Sequence, residues 1–218
     1  MSTTSDNRSG AISLKAQIHA QLLKSIVTGE FHPGDVLNEK DLIERFGVSK
    51  SPIREALIEL CNEKVLRSIP RYGYEVIRIT RDEVNEILEF RILLECGYLE
   101  RIWDSITAED LEYLQRTMDA LYHAGSDEDS VFALWRYNSE FHLALISLAH
   151  NKYVCDVLTS AMKFLQRAYS QLYWERQRSI VSLKHPERHD RILRAIRERN
   201  LPQAKEYLRE DIAAFSQF

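Results

Sequence analysis

The clearest periodicity in the chain lies between Glu39 and Leu60, EKDLIERFGVSKSPIREALIEL, where two helical patterns meet at a tight break. Leu42, Ile43 and Phe46 recur at helical spacing, and Gly47 closes that segment, where a left-handed backbone is easiest for a residue without Cβ. Ser49 then offers an N-cap. Pro52 falls in the first turn of the next helix, where its missing N–H is not needed, and Ile53, Ala56, Leu57 and Leu60 form an apolar stripe. Upstream, Ser13–Thr28 carries Ile18, Leu22, Ile26 and Val27 near one face, Gly29 ends the pattern, and Pro33-Gly34 marks a turn. Downstream, the β-branched runs Val65–Ile69 and Tyr74–Ile77 flank Pro70-Arg71-Tyr72-Gly73, a hairpin signal. After a polar, disordered tail over residues 1–11, three helices and a small hairpin predict a winged helix-turn-helix over residues 12–78.

From Thr80 the pattern changes. Thr80-Arg81-Asp82-Glu83 reads as a capping box. The rest of the chain, residues 79–218, is helical in period, with segments expected at about 81–104, 107–124, 128–149, 151–182, 186–199 and 202–217. Thr107, Ser130 and Pro202 mark starts, while Gly125, His150-Asn151 and Asn200 mark stops. The 151–182 segment ends in an aromatic, basic stretch with Tyr169, Tyr173, Trp174, Arg176 and Arg178. The fold class is therefore mainly α, a winged helix followed by an all-α bundle.

Composition narrows the function. At 218 residues, 44% apolar and 28% charged, the chain is an ordinary globular protein of one large or two small domains. No apolar run approaches the roughly 20 residues that span a bilayer, and the N-terminus lacks a secretory signal core. Cys61, Cys96 and Cys155 lie far apart in helical patterns and match no metal spacing, so buried free thiols in a reducing cytoplasm are expected. Net charge is −4, and residues 1–78 carry 11 Lys and Arg against 10 Asp and Glu (+1), leaving 18 against 23 (−5). Any DNA contact must come from a local basic face.

The apolar stripe of the second short helix leaves Lys50, Ser51 and Arg54 at its exposed N-terminal end, the residue types that meet phosphates and base edges. In the bundle, Asn138 and His142 are i, i+4 on one helix face, with His189 early on a later helix and Asp211 on the last. Two imidazoles, a carboxylate and an amide oxygen from three helices make a candidate metal site; His185 and His189 form a competing pair. Arg91, among apolar neighbours, either pairs with Glu95 or binds an anion. No nucleophile elbow, phosphate-cradling glycine loop or His-Glu-x-x-His motif is present, so an enzyme is not expected.

The N-terminal part resembles the winged-helix domain of GntR-superfamily transcription regulators. The resemblance runs through Ile26–Gly29, Pro33-Gly34, Leu37, Glu39, Leu42, Gly47-Val48-Ser49-Lys50, Pro52-Ile53-Arg54-Glu55-Ala56-Leu57, Leu60, Pro70, Gly73 and Val76. It implies DNA contacts by Lys40, Ser49, Lys50, Ser51 and Arg54, with Arg71 and Gly73 in the wing. Lys50 stands where the family usually has Arg, losing the bidentate fork, and Tyr72 replaces the usual basic residue. The C-terminal part is similar to the FCD domain of the FadR-type branch, through Arg91–Glu95, Asn138–His142, Asn151–Val154, Arg188-His189–Ile196, Ala204, Leu208 and Asp211.

That resemblance implies a divalent metal on Asn138, His142, His189 and Asp211, and a small carboxylic acid effector held with Arg91. The family has Asp where Asn138 stands and His where Asp211 stands, so one carboxylate has moved from the first position to the last. Zinc, nickel, manganese and magnesium are the candidate ions, with the oxygen-rich set leaning toward the harder ones. The expected protein is a cytoplasmic homodimeric regulator, a repressor, that reads a palindromic operator in double-stranded DNA. A metal-free pocket for another ligand, a regulator without an effector, and a metal-dependent bundle enzyme are the alternatives.

Overall fold

A computed structural model of the chain describes residues 13–124, 131–172 and 186–217. The tail at 1–11, Gly125, Ser130, the stretch 173–182 and His185 lie outside those residues. The chain divides into two compact units between Arg78 and Ile79.

In the first unit, α1 (Leu14–Val27) starts at Ser13, whose hydroxyl accepts from the Ala16 N–H at 3.2 Å. α2 (Glu39–Phe46) is capped by Asn38 and closed by Gly47 at φ 64°, the left-handed stop expected there. α3 (Lys50–Asn62) follows, with Ile53, Ala56, Leu57 and Leu60 all at 0% exposure, packed with Ile18, Leu22, Ile26 and Leu42 into one core. That much burial makes the second helix of the pair a fixed platform.

The wing is larger than the sequence pattern indicates. β2 (Leu66–Ile69) and β3 (Gly73–Val76) form the expected antiparallel hairpin, but β1 (Val36–Leu37) pairs on the other side of β3, giving the order β1-β3-β2. Two residues are too few to show a strand period. Gly73 is where β1 crowds the hairpin: a Cβ there would lie 2.4 Å from the Leu37 carbonyl oxygen, and its φ is 135°. Tyr74 then donates its phenol to Glu39 Oε1 at 3.2 Å, tying β3 to the start of α2.

In the second unit, α4 (Arg81–Ile102) begins with the expected capping box between Thr80 and Glu83. α5 (Ala108–Ala124), α6 (Val131–Ser147), α7 (Lys152–Leu172), α8 (Pro186–Arg197) and α9 (Leu201–Ala213) complete the described bundle, with short 3-10 turns at Trp103–Ser105 and Ala214–Gln217. α4 and α8 both pack on α9, and α6 packs on α5 and α7. Asn200 ends α8 through its N–H to Ala195 and also caps α9, its side chain accepting from Gln203 N. The helical part described contains no strand. Of the three cysteines, Cys96 is buried as expected, whereas Cys61 and Cys155 are only half-buried; all are free thiols.

Gly73→Ala should destabilise the first unit by about 1–3 kcal/mol, read as a lower midpoint in chemical denaturation, because Leu37 must retreat from β3. An unchanged midpoint would show that β1 is dispensable.

Candidate functional site

Two surfaces carry chemistry. At the N-terminus of α3, Ser49, Lys50, Ser51 and Arg54 are all exposed. Ser49 is the N-cap residue by backbone conformation, yet its hydroxyl makes no cap hydrogen bond. Ser51 donates to Glu55 Oε1 at 2.8 Å, and Lys50 Nζ lies 3.2 Å from Glu39 Oε2. Among the described residues Arg54 has no ion-pair partner, so its guanidinium is available to a groove. Lys40 is exposed at the start of α2, and Arg71 is exposed at the hairpin tip with φ 70°. Beside it Tyr72 is 74% exposed. Gly73 is half-buried against β1, and its place is explained by that close approach rather than by an exposed contact.

The second surface is internal. Val84, Leu88, Arg91, Glu95, Leu99 and Ile102 form the buried face of α4, so two charges sit in an apolar stripe. Arg91 Nε donates to Glu95 Oε1 at 2.7 Å, as the i, i+4 spacing allows, while Arg91 Nη2 is buried without a partner among the described residues. The other Glu95 oxygen, Oε2, is 2.6 Å from His142 Nδ1, reaching from α4 to α6. His142 Nε2 is 3.0 Å from Asp211 Oδ2 on α9, and His189 Nε2 on α8 is 3.6 Å from the same oxygen. The His189 ring stacks on Phe141 (centroids 4.1 Å apart) and also on Tyr137 (5.4 Å), and its Nδ1 is buried without a hydrogen bond among the described residues.

Proton placement follows from this geometry. Burial opposes charge on His142, but the Glu95 charge and the hydrogen bonds that the ring donates to both carboxylates outweigh it and raise its pKa. Burial works against the Asp211 carboxylate too, yet His142 and His189 hold its pKa well below the usual carboxylate range. Glu95 is likewise kept low by Arg91 and His142 against its own burial. His189 goes the other way: burial lowers its pKa and keeps the ring neutral. With carboxylates at both ring nitrogens and a raised pKa, His142 favours the imidazolium form, while the lowered pKa of His189 beside it favours the neutral ring.

Of the four residues singled out as ligands, the structure brings His142, His189 and Asp211 together, with one donor atom from each within 4.8 Å of the others. Asn138 lies one turn before His142 on α6, half-buried and outside the hydrogen-bonded chain. Glu95 is the functional residue that sequence reasoning missed, because only its pairing with Arg91 was considered; a carboxylate on a stripe with Val84, Leu88 and Leu99 was the available signal. A carboxylate behind a histidine fixes which ring nitrogen faces a metal, and here it aims Nε2 at Asp211. The donor set therefore fits a divalent ion. Asp211 also lines a cavity of about 240 Å³ with Arg188, Arg191, Tyr207, Glu210 and Ala214. Arg191 lies over the Tyr207 ring at 4.0 Å and within 3.2 Å of Glu210.

A winged helix with an exposed, partly basic recognition helix, joined to a bundle with a polar centre, is the architecture of a DNA-binding regulator. The family model described as "Bacterial regulatory proteins, gntR family" matches residues 14–76, and the one described as "FCD domain" matches residues 86–214. The chain is 30% identical to the uncharacterized HTH-type transcriptional regulator YdhC of Bacillus subtilis over 88% of this chain and 84% of that one. It is 29% identical to the gluconate operon transcriptional repressor of Bacillus licheniformis over 63% of this chain and 56% of that one. A solved structure of E. coli McbR/YncC has the same fold, with a TM-score of 0.70 at 23% identity, covering 95% of this chain and 99% of that one. The chain belongs to the GntR family, in the group that carries an FCD domain, and is a transcriptional regulator rather than an enzyme. No described helix is long and apolar enough to cross a membrane.

The proton assignments give metal-free stability a peaked pH profile. Glu95 and Asp211, with lowered pKa values, contribute stability that is lost as pH falls through the acid range. His189, kept neutral, also favours the fold as pH rises toward about 6.5, the ordinary imidazole value. His142, with its pKa raised, contributes fully below about 6.5 and loses its contribution as pH rises through its folded value. Denaturation midpoints of metal-free protein should therefore be highest near pH 6.5 and fall on both sides. A midpoint that stays level or climbs above pH 6.5 rules out the protonated bridge.

Proposed function

We propose that the chain is a cytoplasmic homodimeric repressor that binds a palindromic operator through α3 and changes its affinity when a small carboxylic acid occupies the bundle. The carrying observation is Asp211, which belongs both to the buried His142–His189 donor set and to the wall of a cavity with two arginines. Lys40, Ser49, Lys50, Ser51 and Arg54 would meet the major groove and its phosphates, and Arg71 the flanking backbone. The name of the Bacillus licheniformis relative, a repressor of a gluconate operon, supports the repressor assignment and an acid as effector class.

His142, His189 and Asp211 would hold a divalent ion, with Asn138 one turn before His142 as a fourth donor through its amide oxygen; the ion would supply a Lewis-acidic anchor for a carboxylate. Two imidazoles with a carboxylate suit zinc, nickel or manganese better than magnesium, which favours oxygen alone. Charge balance favours an acid as the further ligand. In the metal-free centre Arg91 and protonated His142 match Glu95 and Asp211, two positive against two negative. A divalent ion in place of the bridging proton leaves three against two, an excess that one carboxylate cancels. Arg188 and Arg191 line the cavity and would receive it, and Arg91 Nη2 is a further donor without a partner among the described residues.

A second reading rests on the same imidazole. Both ring nitrogens of His142 already face carboxylates, so the centre is complete without a metal, and the acid would then be held by the cavity arginines alone.

Elemental analysis of the purified chain, followed by thermal shift against a panel of carboxylic acids with and without chelator, separates the two. Stoichiometric metal and an acid response lost in His189→Ala support the metal-assisted reading; an acid response that survives chelation and His189→Ala supports the second. No response to any acid under either condition overturns both. The operator contact has its own check. Arg54→Ala should weaken specific binding by about 1–3 kcal/mol without lowering thermal stability, and wild-type affinity should fall steeply with salt. Unchanged operator affinity in that variant removes α3 as the reading element.

A further inference from the structure

Outside the bundle, a further group of ligating side chains comes together on the winged helix. α1 packs on α3, and along their contact Lys15 Nζ lies 2.8 Å from Glu59 Oε2 and His19 Nε2 lies 3.1 Å from Glu63 Oε2. Each helix supplies its two residues at i, i+4, so the four side chains form two rungs of one ladder. His19, Glu59 and Glu63 offer one donor atom each within 4.8 Å of the others. Donors on a tetrahedral zinc ion stand about 3.4 Å apart at bond lengths near 2.1 Å, and the His19–Glu63 spacing is already close to that. Glu59 has an exposed side chain and can close the remaining gap by a change of rotamer.

The end of α3 gives an independent electrostatic reason for a cation. The last carbonyls of a helix carry partial negative charge, which favours basic side chains there. α1, α2, α4 and α8 follow that rule, with Lys24, Arg45, Arg101, and Arg194 with Arg197 in their last turns. α3 has no basic residue in its last turn and closes on Glu59 and on Glu63, its C-cap residue. Lys64, the next residue, is exposed and forms no ion pair among the described residues. With the imidazole as a neutral ligand, two carboxylates and a helix C-terminus face the single charge of Lys15.

We propose that His19, Glu59 and Glu63 form a divalent-metal site on the winged helix, separate from the bundle, with water completing the coordination. The side chains of His19 and Glu63 are 17% and 30% exposed, so an ion enters without opening the core. One nitrogen and two carboxylate oxygens suit a borderline ion such as zinc, whereas magnesium, which favours oxygen alone, is a poor fit. Lys15 is then a built-in competitor, because a metal that takes Glu59 displaces its ammonium. The bound ion staples α1 to the C-terminal end of α3. That end lies about 20 Å along the helix from Lys50, so the reading end stays uncovered.

Equilibrium dialysis of the full chain against zinc, with the metal counted per chain, tests the site. The wild type should hold one zinc more than His19→Ala. His19→Ala and Glu63→Gln should each weaken that zinc by at least about tenfold, the lower end of what losing even an outer partner of a metal costs. Lys15→Met should bind it more tightly, which a plain ladder of ion pairs does not predict. His19→Gln keeps a donor for Glu63, so it should fold like the wild type and still lose the zinc, separating a lost ligand from a lost fold. Equal zinc counts in wild type, His19→Gln and Glu63→Gln, no tightening in Lys15→Met, or displacement of the zinc by equimolar magnesium overturns the site. The His19-dependent zinc should remain in His189→Ala, so this site and the bundle centre stand or fall separately; its loss there overturns the assignment to the winged helix.

Discussion

The bundle depends on one imidazole held between two carboxylates. His142 is fully buried and reaches Glu95 on α4 through one nitrogen and Asp211 on α9 through the other. A charge in that position is tolerable only because every neighbour completes the set: Arg91 behind Glu95, and His189 beside Asp211, stacked on Phe141. Four helices contribute, so their spacing is fixed by hydrogen-bond lengths near 3 Å as well as by side-chain volume. Removing any one of its charged members, Arg91, Glu95, His142 or Asp211, would leave a buried charge unmatched, which is far more costly than never having built the set.

The winged helix was legible in the sequence because its punctuation is local. Gly47 and the Thr80 capping box each act within a turn of their own position, and the structure uses both as read. β1 was not legible, since Val36 and Leu37 become a strand only by pairing with Glu75 and Tyr74, which no window of sequence contains. The same limit applies to the bundle. Spacing put Arg91 with Glu95 and His142 one turn after Asn138. That Glu95 has a second oxygen on His142, or that Arg188 and Arg191 share a cavity with Asp211, depends on how α4, α6, α8 and α9 pack. Contacts within one helix are written in the sequence; contacts between helices are only permitted by it.

α4 joins these two levels. Its Arg91–Glu95 pair lies within one helix, and Glu95 also reaches His142 on another. Its capping box begins two residues after the boundary that follows the winged helix. If an effector rearranges the Arg91–Glu95–His142 chain as proposed, the change arises on the helix that directly follows the DNA-binding unit in the chain.

The pairing of Lys50 with Glu39 has a consequence for how the protein searches DNA. Glu39 is fixed by Tyr74, so Lys50 meets a carboxylate that stays in place whether or not a duplex is near. The protein in effect carries a tethered counter-ion on its reading surface. A phosphate that takes Lys50 displaces this internal partner instead of only loose salt, and the stray attraction of an arbitrary duplex is muted. If α3 reads the groove as proposed, a first unit near electrical neutrality would hold non-cognate DNA weakly and leave it quickly. Residence would then be reserved for sequences that also engage Arg54, which has no such partner among the described residues.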